Sequence, residues 1–184
     1  MMGLAPEELL GPLNETERKN APTRLYAAGD RRLVGQTARV AVIGTRKPTA
    51  IGRENAEHVA RFLIENDIAV VSGLAEGIDT IAHETAIRLG GKTIAVIGTP
   101  LDRCYPAKNR ELQKEIARRH LLVSQFSPGS TIQPKNFILR NRTMALIAHA
   151  SIIIEAGETS GSLSQGWEML RLRARPKTKI APRQ

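Results

Sequence analysis

Arg46 stands directly beyond a β-branched run, Val40-Ala41-Val42-Ile43, that closes at Gly44. A guanidinium in that position can fork onto a phosphate or carboxylate. Two glycine-serine turns, Ser72-Gly73…Gly77 and Ser160-Gly161-Ser162, lead into helical patterns, with Asp79 following the first. Such turns suit anion binding through backbone N–H groups and hydroxyls, although any βα junction calls for the same residues. Neither fits G-x-G-x-x-G or G-x-x-x-x-G-K-[ST], which argues against dinucleotide and P-loop cofactors. The stretch Lys135-Asn136-Phe137-Ile138-Leu139-Arg140-Asn141-Arg142 places cations and amides beside one of three phenylalanines. Cations with a stackable ring serve single-stranded nucleic acid binding. A helix start with Phe137 in the core and arginines in solvent explains the stretch as well, and both readings stand at this point. The histidines (His58, His83, His120 and His149) are scattered without metal-ligand spacing, and no nucleophile pairs with His83 by spacing. Neither a metal site nor a bound cofactor is expected.

These residues need elements to hold them. Strands are expected at Val40–Ile43, Ile68–Val71, Thr93–Ile97, Leu121–Val123 and Ser151–Ile154, with Lys177–Ala181 as a possible further one. Helical spacing runs over 53–65, 79–89, 109–118, 137–148 and 162–173, with Asp79 and Thr80 placed as cap or first turn of the second. This alternation implies βαβ units and a doubly wound, mostly parallel α/β sheet with helices on both faces. In a parallel sheet the loops after the strands share one edge, where ligands bind. Those loops carry Arg46, Lys47, Arg103, Lys108 and Lys135, with Arg53, Arg140 and Arg142 just after, so the edge is expected to be basic. Residues 1–38 are the least periodic: a helical turn near Glu7–Leu10, an edge strand at Leu25-Tyr26-Ala27, and otherwise an arm laid on a domain of residues 39–181, with 182–184 as tail.

Composition agrees. The chain has 184 residues, and its 3% aromatic content leaves Val, Ile, Leu and Ala to build the core, as a helix-covered parallel sheet does. Cys104 is the single cysteine, so no intrachain disulfide can form, which fits a reducing compartment. No apolar run approaches membrane-spanning length, and a cytoplasmic protein is expected. Of the net charge of +9, residues 171–184 supply six basic and no acidic groups. Such a tail suits a polyanion or is simply a solvated end.

The ordered set V-A-V-I-G-T-R-K-P-T (40–49), V-V-S-G-L-A-E-G-I-D-T-I-A-H (70–83), G-G-K-T-I-A-V-I-G-T (90–99), L-D-R-C-Y-P-A-K-N (101–109), N-F-I-L-R-N-R (136–142) and E-A-G-E-T-S-G-S-L (155–163) resembles the DNA-processing protein A (DprA/Smf) family of recombination mediators. The resemblance implies an extended Rossmann-like domain without catalytic activity that binds single-stranded DNA, forms homodimers and helps load a RecA-type recombinase during natural transformation. By motif position, Arg46, with Lys47 beside it, would line the DNA pocket. Lys135 and Phe137 would supply backbone and stacking contacts. Arg140, Asn141 and Arg142 would complete the groove, and Ser72, Gly73, Gly77 and Asp79 would shape the pocket floor. Gly44, Ser160, Gly161 and Ser162 are expected around the pocket as anion-binding backbone.

The chain departs from the family at Ile138, where proline is usual, and over Thr143–His149. It is also expected to lack the winged-helix domain that follows the core in many members and a full helical domain before it. Nucleotide-cleaving phosphoribohydrolases of the LONELY GUY type share the superfold. They carry P-G-G-x-G-T-x-x-E where this chain reads A-G-E-T-S-G-S-L-S-Q-G-W-E, with Glu158 and Glu168. A nucleotide-binding or nucleotide-cleaving protein is therefore the alternative.

Overall fold

The computed structural model describes residues 2–157 and 161–173. Six strands form one sheet: β1 (Tyr26–Gly29), β2 (Arg39–Gly44), β3 (Ala69–Ser72), β4 (Thr93–Ile97), β5 (Leu121–Ser124) and β6 (Ala150–Ile154), in the order β1-β5-β4-β3-β2-β6. All neighbours pair in parallel except β1, which runs antiparallel to β5 with Tyr26 opposite Ser124. The doubly wound sheet of the sequence reading is present.

Strand alternation sorts the side chains onto two faces. Val42, Val70, Ala95, Ile97 and Leu122 face α4 (Ala50–Glu65), α5 (Ile78–Arg88) and α6 (Arg110–Arg119). Ala41, Ile43, Val71, Ile94, Val96, Leu121 and Val123 face α7 (Pro134–Ile147) and α8 (Gly161–Arg173). Alanines at 56, 60, 82 and 86 are fully buried where α4 and α5 meet the first face. Small side chains there let helices lie close to the sheet, so few aromatics are needed.

The N-terminal 38 residues are more ordered than their sequence suggests. Besides α1 (Pro6–Leu10) they form α2 (Glu15–Asn20) and α3 (Leu33–Gln36). In α2 the Asn14 side chain accepts from Glu17 N at 2.9 Å, and Glu17 returns a carboxylate to Asn14 N at 3.0 Å. This reciprocal cap satisfies two otherwise orphaned donors. Leu9, Leu25, Ala27, Leu33 and Val34 join the core beside α7 and α8. The edge strand lies at Tyr26–Gly29. The strand expected at Lys177–Ala181 lies outside the described residues.

The chain steps outward from β2 through β3 and β4 to β5, then returns through α7 to place β6 on the other side of β2. The loop after β2 enters α4 on one face, and the loop after β6 leads to α8 on the other. Strand order therefore reverses between β2 and β6, and a crevice opens at their carboxyl ends.

Candidate functional site

At this reversal lies a cleft of about 820 Å³. Gly44, Thr45, Arg46 and Lys47 form its wall after β2; Phe137, Arg140, Asn141 and Met144 of α7 cover it; Gly161, Ser162 and Gln165 of α8 close the far side. A smaller recess of about 170 Å³ shares Arg46, Tyr105, Phe137 and Arg140 with it and reaches Gly73 and Glu76. Three cations, Arg46, Lys47 and Arg140, meet one carboxylate, Asp79, along the main cleft.

Arg46 and Lys47 are exposed, on the five-residue turn into α4. That turn is tied across the crevice: the Glu155 carboxylate accepts Thr49 N and Thr49 Oγ1, each at 3.0 Å, and Thr49 Oγ1 in turn accepts Gly52 N to cap α4. Gly77, at φ 77°, comes so close to this turn that a Cβ there would strike the Thr45 carbonyl oxygen. The glycine is required both by its left-handed backbone and by the contact.

Arg140 is buried, unlike Arg46. Its Nη1 donates to the Val96 carbonyl at 2.9 Å, and its Nε has no hydrogen-bond partner among the described residues. The guanidinium lies against Gly73, where any Cβ would overlap it. Asp79 lies in the first turn of α5, one of the two places the sequence offers it, and reaches back from there: its Oδ2 accepts Gly73 N at 3.1 Å and Ala75 N at 3.3 Å. The N-cap is Gly77, without a side-chain cap, so the carboxylate shapes the loop rather than capping the helix. Burial pushes the Asp79 carboxyl above the usual carboxylate range, opposed by the Arg140 charge and the two backbone donors. Burial lowers the Arg140 guanidinium, opposed by Asp79, while Arg46 adds a smaller lowering by like-charge repulsion. The two groups thus compensate each other inside a poorly solvated site.

Phe137 packs on Gly98, and its ring lies 5.4 Å from that of Tyr105 at an interplanar angle of 55°. Tyr105 is 51% exposed, so this tilted pair presents an aromatic surface at the mouth of both recesses. Asn141 donates from Nδ2 to the Gly161 carbonyl at 3.1 Å, which joins α7 to the start of α8.

The cleft therefore gathers Gly44, Arg46, Lys47, Asp79, Phe137, Arg140, Asn141, Gly161 and Ser162 from the sequence expectation, while Gly73 lines the smaller recess and Gly77 buttresses the turn. Others sit elsewhere. Ser72 is buried and donates to the Val42 carbonyl at 2.7 Å, a sheet contact. Lys135 is exposed on the first turn of α7 and does not line the cleft. Arg142 points to α8, where it pairs with Glu168 at 3.3 Å, because residues two apart on a helix face opposite sides. Ser160 and Glu158 lie outside the described residues. Glu168 also holds Arg171 at 2.7 Å, which leaves it committed to two arginines. His83 is fully buried, hydrogen-bonded to Thr93 at 2.7 Å, and is a core residue.

Among the lining residues absent from the sequence expectation are Tyr105 and Gln165. Tyr105 had a signal, being one of two tyrosines and lying in a post-strand loop. Gln165 had only its place one turn into α8. Among the described residues no three His, Cys, Asp or Glu side chains gather to hold a metal ion, and no helix is long and apolar enough to cross a membrane.

Comparison with known proteins fits this geometry. Residues 7–170 match the profile of the family described as DNA recombination-mediator protein A. The chain is 43% identical over 152 residues to the DNA processing protein DprA of Streptococcus pneumoniae, which covers 83% of this chain and 53% of that protein. The crystal structure of the same relative superposes with a TM-score of 0.80, over 92% of this chain and 60% of that one. DNA processing protein A from Helicobacter pylori, whose structure concerns a single-stranded DNA binding mode, superposes at a TM-score of 0.81 and 31% identity, over 93% of this chain and 76% of that one. The chain spans about half the length of the curated relatives it matches. It belongs to the DNA recombination-mediator protein A family.

Proposed function

For a chain of this family, we propose non-catalytic binding of single-stranded DNA at the cleft between β2 and β6, in a cytoplasmic DNA-processing and recombination role. One observation carries this reading: the exposed Tyr105, with the half-buried Phe137 tilted against it, stands beside Arg46 and Arg140 at a single mouth. Every base has a π-face, so an aromatic platform holds a strand without regard to sequence, and the cations hold its phosphates. The single-stranded DNA binding mode of the H. pylori relative supports the assignment. A helix N-terminus at Gly161 and Ser162 supplies further backbone donors.

The partners follow from the same membership. A homodimer would cover Leu163, Trp167 and Leu170, exposed together on α8 beside Ile153 on edge strand β6, an apolar surface of the kind that marks association. A RecA-type recombinase would receive the bound strand. The nucleotide-cleaving alternative asks for a free carboxylate at the last βα junction. Of the two candidates, Glu158 lies outside the described residues, while Glu168, two turns into α8, is held by Arg142 and Arg171, which speaks against it as the cleaving carboxylate.

Fluorescence anisotropy with labelled single- and double-stranded oligonucleotides, across a salt series, tests the reading. With about four phosphate contacts, log K falls against log salt with a slope of about −3 for a single strand. Arg46→Ala weakens binding by about 1–3 kcal/mol through loss of a charge-assisted contact. Equal, weak binding of both DNA forms that ignores Arg46 would refute the site.

A further inference from the structure

Gln165 is 1% exposed, and neither its Oε1 nor its Nε2 has a hydrogen-bond partner among the described residues. Buried polar groups are nearly always paired, and an orphaned one asks for an explanation. A carboxamide presents one acceptor and two donors, so here both kinds of group are idle. The residue forms part of the cleft wall beside Ser162, Asn141 and Met144. Elsewhere in this wall the amide is used, since Asn141 bonds to Gly161. The idle amide is thus a property of Gln165 and not of the wall.

We propose that Gln165 is the specificity-determining residue of the cleft, pairing its amide with the donor–acceptor edge of one nucleobase admitted from the bound strand. This rests on the single-stranded DNA reading and extends it from sequence-tolerant stacking to the reading of one base. Three features support it. An amide matches an adjacent donor and acceptor on a base edge in bidentate fashion. Ile43 and Met144 give the nearby wall the apolar character that a flat heterocycle prefers. The amide atoms are sealed from water, so an arriving base edge displaces no hydration from them. Meeting a base edge requires the side-chain torsions to turn the amide toward the cleft, and the terminal one, which sets the orientation of the donor and acceptor, is soft. Outside the bound state the unpaired amide destabilises the protein.

The test uses the full chain and homo-oligonucleotides of dA, dC and dT of equal length, titrated against wild type and Gln165→Met, with melting temperatures of both proteins. Wild type prefers one base by about tenfold, the discrimination a bidentate amide contact provides. Gln165→Met retains volume and lacks the amide, so the preference collapses to about the level that stacking alone gives, while the salt slope stays the same. Its melting temperature without DNA equals or exceeds that of wild type, because an unpaired buried group has been removed. Equal affinity of wild type for all three strands overturns the inference, as does a preference that survives in the variant. A lowered melting temperature or a failure to fold also overturns it, since the amide would then be paired within the protein. Binding of none of the strands by wild type would sink the underlying reading instead, so the two failures are distinguishable.

Discussion

Two buried arginines, at opposite ends of the sheet, are treated in opposite ways. Arg39 begins β2, and its side chain is closed in by carbonyls: Nε donates to Ile147 O at 2.7 Å, and Nη1 donates to Thr37 O at 2.9 Å and to Val34 O. Its Nη2 lies 2.8 Å from His149 Nε2. Arg140, at the carboxyl end, donates once to Val96, leaves Nε unpaired and looks onto a cleft that also contains Arg46. Charge of the same kind is used for cohesion at one end and held partly in reserve at the other. A fully satisfied network fixes a fold, whereas spare donors beside a cavity await a ligand.

Breaking the first arginine has the largest expected effect. Arg39→Met leaves several buried carbonyls without a donor and costs on the order of 3 kcal/mol or more. Urea unfolding measures the loss, and oligonucleotide affinity per folded molecule should not change. The matching experiment at the other end is Arg140→Met combined with Asp79→Asn, so that no buried carboxylate is left uncompensated and the Gly73 and Ala75 donors keep an acceptor. Stability should change by about 1 kcal/mol or less, as when a buried pair gives way to neutral groups. Oligonucleotide affinity should fall by at least about tenfold, the worth of one lost charge-assisted contact. If the double variant is destabilised as much as Arg39→Met, the contrast between the two ends fails.

A third group sharpens the contrast. His83 is fully buried with Thr93 for company, and burial, with lesser contributions from His120 and Arg140, lowers its pKa from 6.5 to about 3. No ring of carbonyls is gathered around it as around Arg39, so the interior holds it neutral. Between pH 6.5 and about 3 the unfolded chain binds a proton that the folded chain refuses. Its contribution is therefore fully present above pH 6.5 and is lost as pH falls, with a slope of at most ~1.4 kcal/mol per pH unit. Unfolding curves between pH 7 and pH 4, compared with His83→Gln, isolate this slope, which the variant should lack.

The five parallel strands and their helices were legible because each apolar run is short, β-branched and followed by a helical period. The positive edge was legible too, since parallel topology alone assembles those loops. Other features depend on tertiary partners. Asp79 reads as cap or first turn in one dimension, and its hold on the loop was not legible, because nothing in the sequence shows that Gly73 and Ala75 turn their N–H groups toward it. The capping box of Asn14 and Glu17 was readable, yet α2 has too little apolar periodicity to announce a helix. Arg140 and Arg142 could have been separated by helical geometry alone, as they lie on opposite faces of α7. Gln165 could not have been singled out, because a missing partner becomes visible only once every neighbour is in place.

The antiparallel pairing of β1 bears on how the molecule is made. Tyr26 leaves the ribosome nearly a hundred residues ahead of its partner Ser124. Until β5 exists, the first strand has no edge to join, and closing so long a loop is among the slower steps available to a chain. The parallel strands can assemble behind it while Leu25 and Ala27, destined for the shared core, remain uncovered. Docking of the first strand of the sheet is then the act that seals it on that side, so the placement of β1 reports on the completion of β5.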